Sequence, residues 1–252
     1  MKTENNYTAL ITGAGNGIGK SIALQLANAG YKIIAVSRNE QHLNEISSAL
    51  NNAKHITLQA DLLSDTGCEK LLACLQQNGM PHIIVCNLNS NPPRKKLQQL
   101  ATGIQEKSIT ENIKHLFCIM PEVIQFQRNQ RYGRWIGISS MSPHLGVPGM
   151  SVYNMQKGVL ENCLRTLASE EGKNNITANI VAPGLIATPT VLQNYIPEEM
   201  EKRKKENVMH KIGTPDDIAA AVNFLASPQA GFITGITLPV NGGNHLAWQY
   251  IN

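Results

Sequence analysis

Short apolar runs alternate with segments of helical periodicity along the whole chain. Seven runs have the length and composition of buried strands, and they cover residues 8–12, 32–37, 55–59, 83–86, 134–139, 176–181 and 236–240. Strands that alternate with helices in this way are typical of parallel sheets covered by helices on both faces. The pattern predicts an α/β fold with a doubly wound, Rossmann-type sheet of about seven parallel strands. No repeat or linker interrupts it, so we expect one domain over residues 1–252.

The segments between the strands carry the signals of helix starts and ends. After the first strand, Ile18, Ile22, Leu26 and Ala29 fall on one helical face, and Gly30 follows the helix. Further helices are predicted up to residue 50, over 65–78, over 104–128 with a kink at Pro121, over 153–168, over 197–208, and from Thr214 onward.

The first strand ends in a glycine-rich turn that leads directly into a helix. This turn reads Gly13-Ala-Gly-Asn-Gly-Ile-Gly19. Because glycine has no Cβ, backbone N–H groups can approach a pyrophosphate closely, and the helix dipole favours its charge. A glycine cluster alone is often only a flexible turn. The order of strand, turn and helix predicts a phosphate cradle for a dinucleotide.

The end of the second strand indicates which dinucleotide binds. An acidic residue there would hydrogen-bond a ribose 2′-hydroxyl, whereas an arginine accommodates a 2′-phosphate. Here the strand ends in Ser37-Arg38, and no acidic residue follows before Glu40. The guanidinium fork suits a phosphate, so NADP(H) is favoured over NAD(H). The alternative is that Arg38 is a solvated loop residue.

Tyr153 and Lys157 are candidates for proton-transfer chemistry. They stand four residues apart in a predicted helix and so share a face. A nearby ammonium would favour the phenolate and lower the pKa of Tyr153, which could then act as a general acid or base. Ser140, at the end of the fifth strand, could hold a substrate oxygen. A simple surface pair of Tyr and Lys is the alternative.

These pieces occur in one order along the chain. Thr12-Gly13-x-x-x-Gly17-Ile18-Gly19 precedes Asp61 and Asn112, and Ser140 stands thirteen residues before Tyr153, with Lys157 after it. Asn179, Val181-Ala-Pro-Gly184, Gly213-Thr-Pro-Asp-Asp-Ile-Ala219, Ile233-Thr-Gly235 and Val240-Asn-Gly-Gly243 continue the order. In this joint order the chain resembles the short-chain dehydrogenase/reductase family nearly from end to end.

The resemblance implies a redox enzyme with four catalytic residues. Tyr153 would pass a proton to or from the substrate oxygen while the nicotinamide carries the hydride. Lys157 would lower the pKa of Tyr153 and hold the nicotinamide ribose. Ser140 would orient the substrate oxygen, and Asn112 would hold a water that relays protons to Lys157. Cofactor contacts are implied at Gly13, Asn16, Gly17, Ile18, Gly19, Ser37, Arg38, Asp61, Leu62, Asn87, Tyr153, Lys157, Pro183, Gly184, Ile186 and Thr188.

The loop after the fourth strand departs from the family. Members usually read Asn-Asn-Ala-Gly there, whereas this chain reads Cys86-Asn87-Leu88-Asn89. Asn87 is kept, but its neighbours add bulk where a small pair usually packs near the cofactor ribose. We expect a rearranged loop, aided by two prolines at 92 and 93, without loss of cofactor binding.

The resemblance is greatest to the 3-oxoacyl-[acyl-carrier-protein] reductase branch, which implies a β-keto thioester substrate. A small ketone, a secondary alcohol or a specialised metabolite, with NAD(H) as a further option, remains the alternative. Substrate contacts are expected in residues 141–150, where His144 either touches substrate or is an exposed loop histidine, and in 185–208. Residues 185–210 are expected to form a mobile lid. Carrier docking is half supported, since Arg131 matches one docking arginine while Asn174 beside Lys173 stands at the other.

Composition narrows the remaining classes. Hydrophobic content is 42% and the net charge is +4. No apolar run has membrane-helix length and the first residues are polar, so a cytoplasmic location is expected. Five scattered cysteines are expected to stay reduced, and no histidine or cysteine spacing predicts a metal site.

Two other functions are weaker alternatives. A non-catalytic cofactor sensor or scaffold would have no need for the catalytic set. A nucleic-acid binder would use the basic residues 202–205, but these lie among glutamates and without aromatic residues. By resemblance the chain is expected to be a homo-oligomer, a tetramer or a dimer.

Overall fold

The seven predicted strands form one parallel sheet. The structure is a computed structural model that describes residues 7–246, so residues 1–6 and 247–252 of the expected domain lie outside the described residues. The strands are β1 (Thr8–Thr12), β2 (Lys32–Ser37), β3 (Ile56–Gln59), β4 (Ile83–Cys86), β5 (Gly133–Ile138), β6 (Ile176–Pro183) and β7 (Thr237–Val240). Their order in the sheet is β3-β2-β1-β4-β5-β6-β7. The predicted fold class is confirmed.

Helices cover both faces of the sheet. They are α1 (Gly17–Asn28), α2 (Glu40–Leu50), α3 (Asp65–Asn78), α4 (Ile104–Gln130), α5 (Ser142–Leu145), α6 (Ser151–Glu171), α7 (Pro189–Asn194), α8 (Pro197–Lys204) and α9 (Pro215–Ala226). Two apolar clusters result, one on each side of the sheet. Helices α1 and α9 pack over one face, and α3, α4 and α6 pack over the other. This two-sided cover explains why most strands read as continuous apolar runs.

Strand β1 lies at the point where the chain changes direction across the sheet. It pairs with β2 on one side and β4 on the other, with Thr12 opposite Val36 and Ile11 opposite Val85. The connections after β1 and after β4 therefore diverge. In open parallel sheets ligands bind in the crevice at this point, outside the carboxyl ends of the strands. The glycine-rich turn, Arg38 and Asn87 all follow strands that end at this edge.

Several element ends differ from the sequence prediction by one to four residues. β5 begins at Gly133 and ends before Ser139, and β6 continues to Pro183 because it stays paired with β7. α4 continues to Gln130 and runs unbroken through Pro121. α8 ends at Lys204, where turns replace the rest of the expected helix. Ala29 lies just outside α1, while Ile22 and Leu26 are fully buried as expected.

Two further observations concern membranes and thiols. Across residues 7–246, no helix combines the length and apolar character that a membrane crossing requires. All five cysteines are free thiols.

We predict that Gly67 and Gly172 respond oppositely to alanine. A Cβ at Gly67, in the first turn of α3, would lie 1.9 Å from the carbonyl oxygen of Asp61, a backbone atom that cannot move freely. We expect Gly67→Ala to lower the free energy of unfolding by about 1–3 kcal/mol or more. Gly172 has helical backbone angles and open space around it. Gly172→Ala should be neutral or add about 0.5–1 kcal/mol.

Urea unfolding followed by circular dichroism measures both variants. Equal stability of the two variants would show that the α3 start and the Asp61 turn are not packed as described.

Candidate active site

A cleft of about 780 Å³ opens at the carboxyl ends of the strands. It extends from the end of β2, across the glycine-rich turn, to the ends of β5 and β6. Most of the residues that the sequence predicted for the site line it: Gly13, Asn16, Gly17, Ile18, Gly19, Ser37, Arg38, Asp61, Leu62, Asn87, Ser140, Tyr153, Lys157, Pro183, Gly184, Ile186 and Thr188. Their roles remain predictions, but the fold brings them to one cavity.

The glycine-rich turn packs too closely for side chains. Gly13 and Gly17 have φ of +66° and +50°, which favour glycine. A Cβ on Gly19 would lie 2.3 Å from the carbonyl oxygen of Gly13. The bare backbone and the N-terminus of α1 therefore face the cleft, as a pyrophosphate site requires.

Asn87 fastens this turn to the loop after β4. Its Nδ2 donates to the carbonyl oxygens of Thr12 at 3.1 Å and Gly13 at 2.9 Å. The backbone N–H groups of Asn87 and Leu88 donate to the hydroxyl of Thr12. Leu88 also packs against the core on the α3, α4 and α6 face. The unusual loop thus keeps its link to the cradle and accommodates the added bulk of Leu88 by partial burial.

The end of β2 presents polar groups around Arg38. Arg38 is exposed and lines the cleft beside Ser37, Asn39 and His42. The hydroxyl of Ser37 accepts the N–H of Asn39, and the Asn39 side chain caps α2 by accepting the N–H of His42. Sequence reasoning missed Asn39 and His42. The signal was an Asn in N-cap position directly after the strand.

Ser140, Tyr153 and Lys157 meet at the inner end of the cleft. Ser140 follows β5, and its side chain hydrogen-bonds Tyr153 while its hydroxyl also accepts the N–H of Ser142. Tyr153 and Lys157 stand on one face of α6. The Nζ of Lys157 donates to the carbonyl oxygen of Ile138 at 2.8 Å and lies 5.7 Å from the centre of the Tyr153 ring. The Ser140 hydroxyl and the Tyr153 phenol can share a bound carbonyl or alcohol oxygen, with the Lys157 ammonium close to the phenol ring.

Burial controls the proton affinities of this group. Burial raises the pKa of Tyr153, and the hydrogen bond from Ser140 and the charge of Arg94 lower it by less. Burial also lowers the pKa of Lys157 to about 8. The expected lowering of the Tyr153 pKa by Lys157 is therefore not found in this structure. The reason is that Lys157 directs its ammonium at Ile138 rather than at the phenol.

Comparisons with known proteins agree with this geometry. The family model described as enoyl-(acyl carrier protein) reductase matches residues 13–245. The 3-oxoacyl-[acyl-carrier-protein] reductase of Rickettsia bellii is 35% identical over 95% of this chain and 97% of its own. Dehydrogenase/reductase SDR family member 4 of Homo sapiens is 31% identical over 94% of this chain and 87% of its own.

The chain belongs to the short-chain dehydrogenase/reductase family.

Solved structures give the same result for the fold. A short-chain dehydrogenase/reductase family protein has a TM-score of 0.86 and 29% identity, over 98% of this chain and 100% of its own. YwfH, described as an NADPH-dependent reductase of bacilysin biosynthesis, has a TM-score of 0.89 and 23% identity, over 95% of this chain and 98% of its own. Membership makes the chain an oxidoreductase, as the sequence resemblance implied.

Asn112 is the one predicted catalytic residue that does not line the cleft. It is buried on α4, and its Oδ1 accepts the backbone N–H of Ser90 at 2.8 Å. Gln156, fully buried next to Lys157, donates to the hydroxyls of Ser90 at 2.8 Å and Ser108 at 2.7 Å. The relay water expected at Asn112 stays a prediction. Sequence reasoning missed Gln156, although a polar residue on the buried face of the Tyr153 helix was visible.

Three short helices, α5, α7 and α8, lie on the side of the cleft where substrate is expected. His144 on α5 is exposed, as one of the two sequence readings held, yet its ring pairs with the buried Glu161 at 3.2 Å. Thr188 caps α7, and Thr188 and Val191 line the cleft. On α8, Arg203 stacks over the ring of Tyr195. These segments cover the side where the family places substrate.

We predict that Lys157 makes stability depend on pH. Its folded pKa of about 8 lies below the ordinary lysine pKa of 10.5, so the unfolded chain binds more protons between these values. The contribution of Lys157 to stability is lowest below pH 8 and rises from about pH 8 to pH 10.5. Lys157→Met should remove this rise, which corresponds to about 3 kcal/mol.

Urea unfolding of the parent and of Lys157→Met at several values between pH 7 and pH 10 measures the effect. Lys54→Met, which removes an exposed ammonium near the start of β3, is the control and should follow the parent. Parallel curves for the parent and Lys157→Met would contradict the buried-charge description.

Proposed function

We propose that this oxidoreductase uses NADP(H) to reduce the keto group of a β-keto thioester to a secondary alcohol. The observation that carries the proposal is the convergence of Ser140, Tyr153 and Lys157 at the inner end of the cleft that begins at the glycine-rich cradle. A hydroxyl, a phenol and an ammonium supply what carbonyl reduction needs besides a hydride donor. Relatives named 3-oxoacyl-[acyl-carrier-protein] reductase support the substrate class.

The cleft fits a dinucleotide. The close approach of Gly19 to Gly13 leaves only backbone at the cradle, where a pyrophosphate would be held. Asp61, Leu62, Pro183 and Gly184 line the cleft. The adenine would lie beside Asp61 and Leu62, and the nicotinamide would lie beside Pro183 and Gly184. When bound, the cofactor supplies the hydride.

The choice of NADP(H) rests on the end of β2. Arg38 is exposed and lines the cleft together with the polar residues Ser37, Asn39 and His42. A planar guanidinium binds phosphate oxygens through two parallel hydrogen bonds, so this group suits a 2′-phosphate. A fold neighbour described as NADPH-dependent is consistent with the choice. NAD(H) is the alternative, and comparison of NADPH and NADH binding distinguishes the two cofactors.

The chain's own residues handle the substrate oxygen and the proton. Ser140 hydrogen-bonds the carbonyl oxygen and fixes its position next to the phenol. Tyr153 donates its hydroxyl proton to that oxygen as the carbonyl becomes an alcohol. Lys157 would hold the nicotinamide ribose, and it is the next group from which the Tyr153 oxygen regains a proton. Asn112, through a water, connects Lys157 to the polar groups around Ser90.

A carrier-bound substrate is supported by the surface around Arg131. Its guanidinium contacts the side chain of Asn174 at 3.4 Å, so the two positions expected for carrier docking lie together. Lys173 adds an exposed ammonium beside them. One arginine and one lysine would meet an acidic carrier protein there.

The remaining parts of the proposal concern the lid, the assembly and the location. Residues 185–210, with α7 and α8, act as a lid over the substrate. The protein works as a homo-oligomer, which would cover exposed apolar side chains such as Phe117 and Phe232. A cytoplasmic location would keep its five free thiols reduced.

We predict that Tyr153→Phe abolishes turnover but keeps cofactor binding. Loss of the proton donor should lower kcat by about 100-fold or more. The assay follows NADPH oxidation with an acetoacetyl thioester, and fluorescence titration gives the NADPH dissociation constant. Tyr7→Phe, a matched loss of a phenol hydroxyl at the start of β1, should behave as the parent.

Parental turnover by Tyr153→Phe would contradict the assigned proton donor. If the parent binds NADPH but consumes neither NADPH nor NADH with this thioester, the β-keto substrate is wrong. A panel of ketones and alcohols then identifies the substrate class, and failure of the whole panel would favour a non-catalytic sensor.

We predict that Arg38→Gln weakens NADPH and leaves NADH binding unchanged. Loss of a charge-assisted contact to the 2′-phosphate should raise the NADPH dissociation constant by about 10-fold to 100-fold. NADH lacks that phosphate and serves as the internal control. Lys54→Gln removes an equal charge at the amino ends of the strands, away from the cleft, and should change neither dissociation constant. Equal weakening of both cofactors would contradict the assigned phosphate site.

A further inference from the structure

A buried carboxylate joins several parts of the active site. Glu161 lies on α6 one turn after Lys157, and its side chain is only 3% exposed. Its Oε1 accepts the hydroxyl of Ser139 at 2.5 Å and lies 3.2 Å from Nε2 of His144. Its Oε2 accepts from the guanidinium of Arg165 at 2.7 Å. Oε1 therefore has two partners from outside α6, and Oε2 pairs with Arg165 one turn further along the same helix.

Each partner belongs to a different functional part. Ser139 directly precedes the substrate-orienting Ser140, and its N–H is already held by Val181 of β6. His144 is part of α5, in the segment expected to contact substrate. Arg165 extends the network to the hydroxyl of Thr237 on β7 at 2.9 Å. One carboxylate thus connects the end of β5, the substrate segment and the last strand to the helix of Tyr153 and Lys157.

A purely structural role would not require a charge at this position. Burying a carboxylate is costly unless it is paired and hydrogen-bonded, and apolar residues often fill such positions at no loss of stability. The charge has a second effect here, because it raises the pKa of Lys157 and partly opposes the effect of burial. Glu161 thereby favours the protonated form of the lysine that the mechanism uses.

We propose that Glu161 is a positioning residue that holds the substrate segment 141–150 against the catalytic helix through His144 and holds Ser140 in place through Ser139. The kinetic part of this inference rests on the proposed reductase function, whereas the anchoring part does not. Neither His144 nor Glu161 touches the reacting atoms in this description.

The charged and titratable groups around the junction are few. His144 faces Glu161 from α5, and Arg165 and Lys157 face it from α6. Cys86 on β4 interacts with Lys157. The hydroxyl of Ser139, directly after β5, and the hydroxyl of Thr237 on β7 complete the surroundings. Any change in the pH profile of Glu161→Gln is therefore attributed to its neighbours Lys157 and His144.

The anchoring is tested by amide hydrogen exchange over residues 141–150. The samples are the parent, Glu161→Gln, His144→Gln and Glu170→Gln, in the absence of substrate. Glu170 is exposed on the same helix, so its variant removes a charge without touching the junction. We expect exchange in 141–150 to be about 10-fold faster in the first two variants and unchanged in Glu170→Gln. Glu161→Gln keeps the side-chain shape, and a thermal melt confirms that each variant is folded.

The kinetic consequence separates positioning from stability. His144→Gln should raise KM for the thioester with kcat kept, because only the substrate segment is released. Glu161→Gln should lower kcat/KM by about 10-fold to 100-fold, since Ser140 is also released. It should also move the basic limb of the kcat profile to lower pH, because Lys157 loses the charge that favours its ammonium.

Two outcomes would overturn the inference. If both junction variants exchange at the parental rate in 141–150, Glu161 does not anchor the segment. If exchange rises but KM, kcat and the pH profile all match Glu170→Gln, the junction is structural only. A parent that reduces no thioester refutes the proposed substrate, and the exchange result still decides the anchoring.

Discussion

The active site depends on the burial of a single ammonium. Lys157 has almost no exposed surface, and its Nζ is satisfied by the carbonyl oxygen of Ile138. Burial disfavours its charge and lowers its pKa to about 8. The same surroundings raise the pKa of the neighbouring Tyr153. The phenol and the lysine proposed for catalysis are thus held in buried positions, where their proton affinities follow from packing as much as from charge.

The sheet forms the cleft without placing polar site residues in the apolar core. Five of the strands are buried along nearly their whole length because helices cover both sides, while the edge strands β3 and β7 are only partly buried. All polar site residues come after strand ends or from helices that face the carboxyl edge. The apolar core therefore does not depend on the polar residues that line the cleft. The glycine-rich turn has no side chain at Gly13 or Gly19, where its backbone packs closely.

Much of this arrangement is readable from sequence, and the failures have a common cause. Strand positions followed from apolar runs, and the glycine-rich turn, Arg38 and Ser140 followed from their places at strand ends. The other cleft residues were implied by the resemblance to the family. Residue type and spacing do not give side-chain direction, so the orientation of Lys157 toward Ile138 and the inward position of Asn112 were missed. Gln156 and Glu161 were also missed, because a polar residue on a buried helix face has no meaning until its partners, such as Ser90 and Ser139, are known.

The position of β1 between β2 and β4 separates the cleft residues into two sets along the chain. Residues before β4 contribute the cleft residues proposed to hold the adenosine, such as Arg38 and Asp61, and residues after it contribute Ser140, Tyr153 and Lys157. The two sets meet across the paired backbones of β1 and β4 and through Asn87. Coenzyme preference and the reaction therefore depend on different parts of the sequence. Substitutions before β4 can change which coenzyme binds while the residues after β4 keep the same reaction.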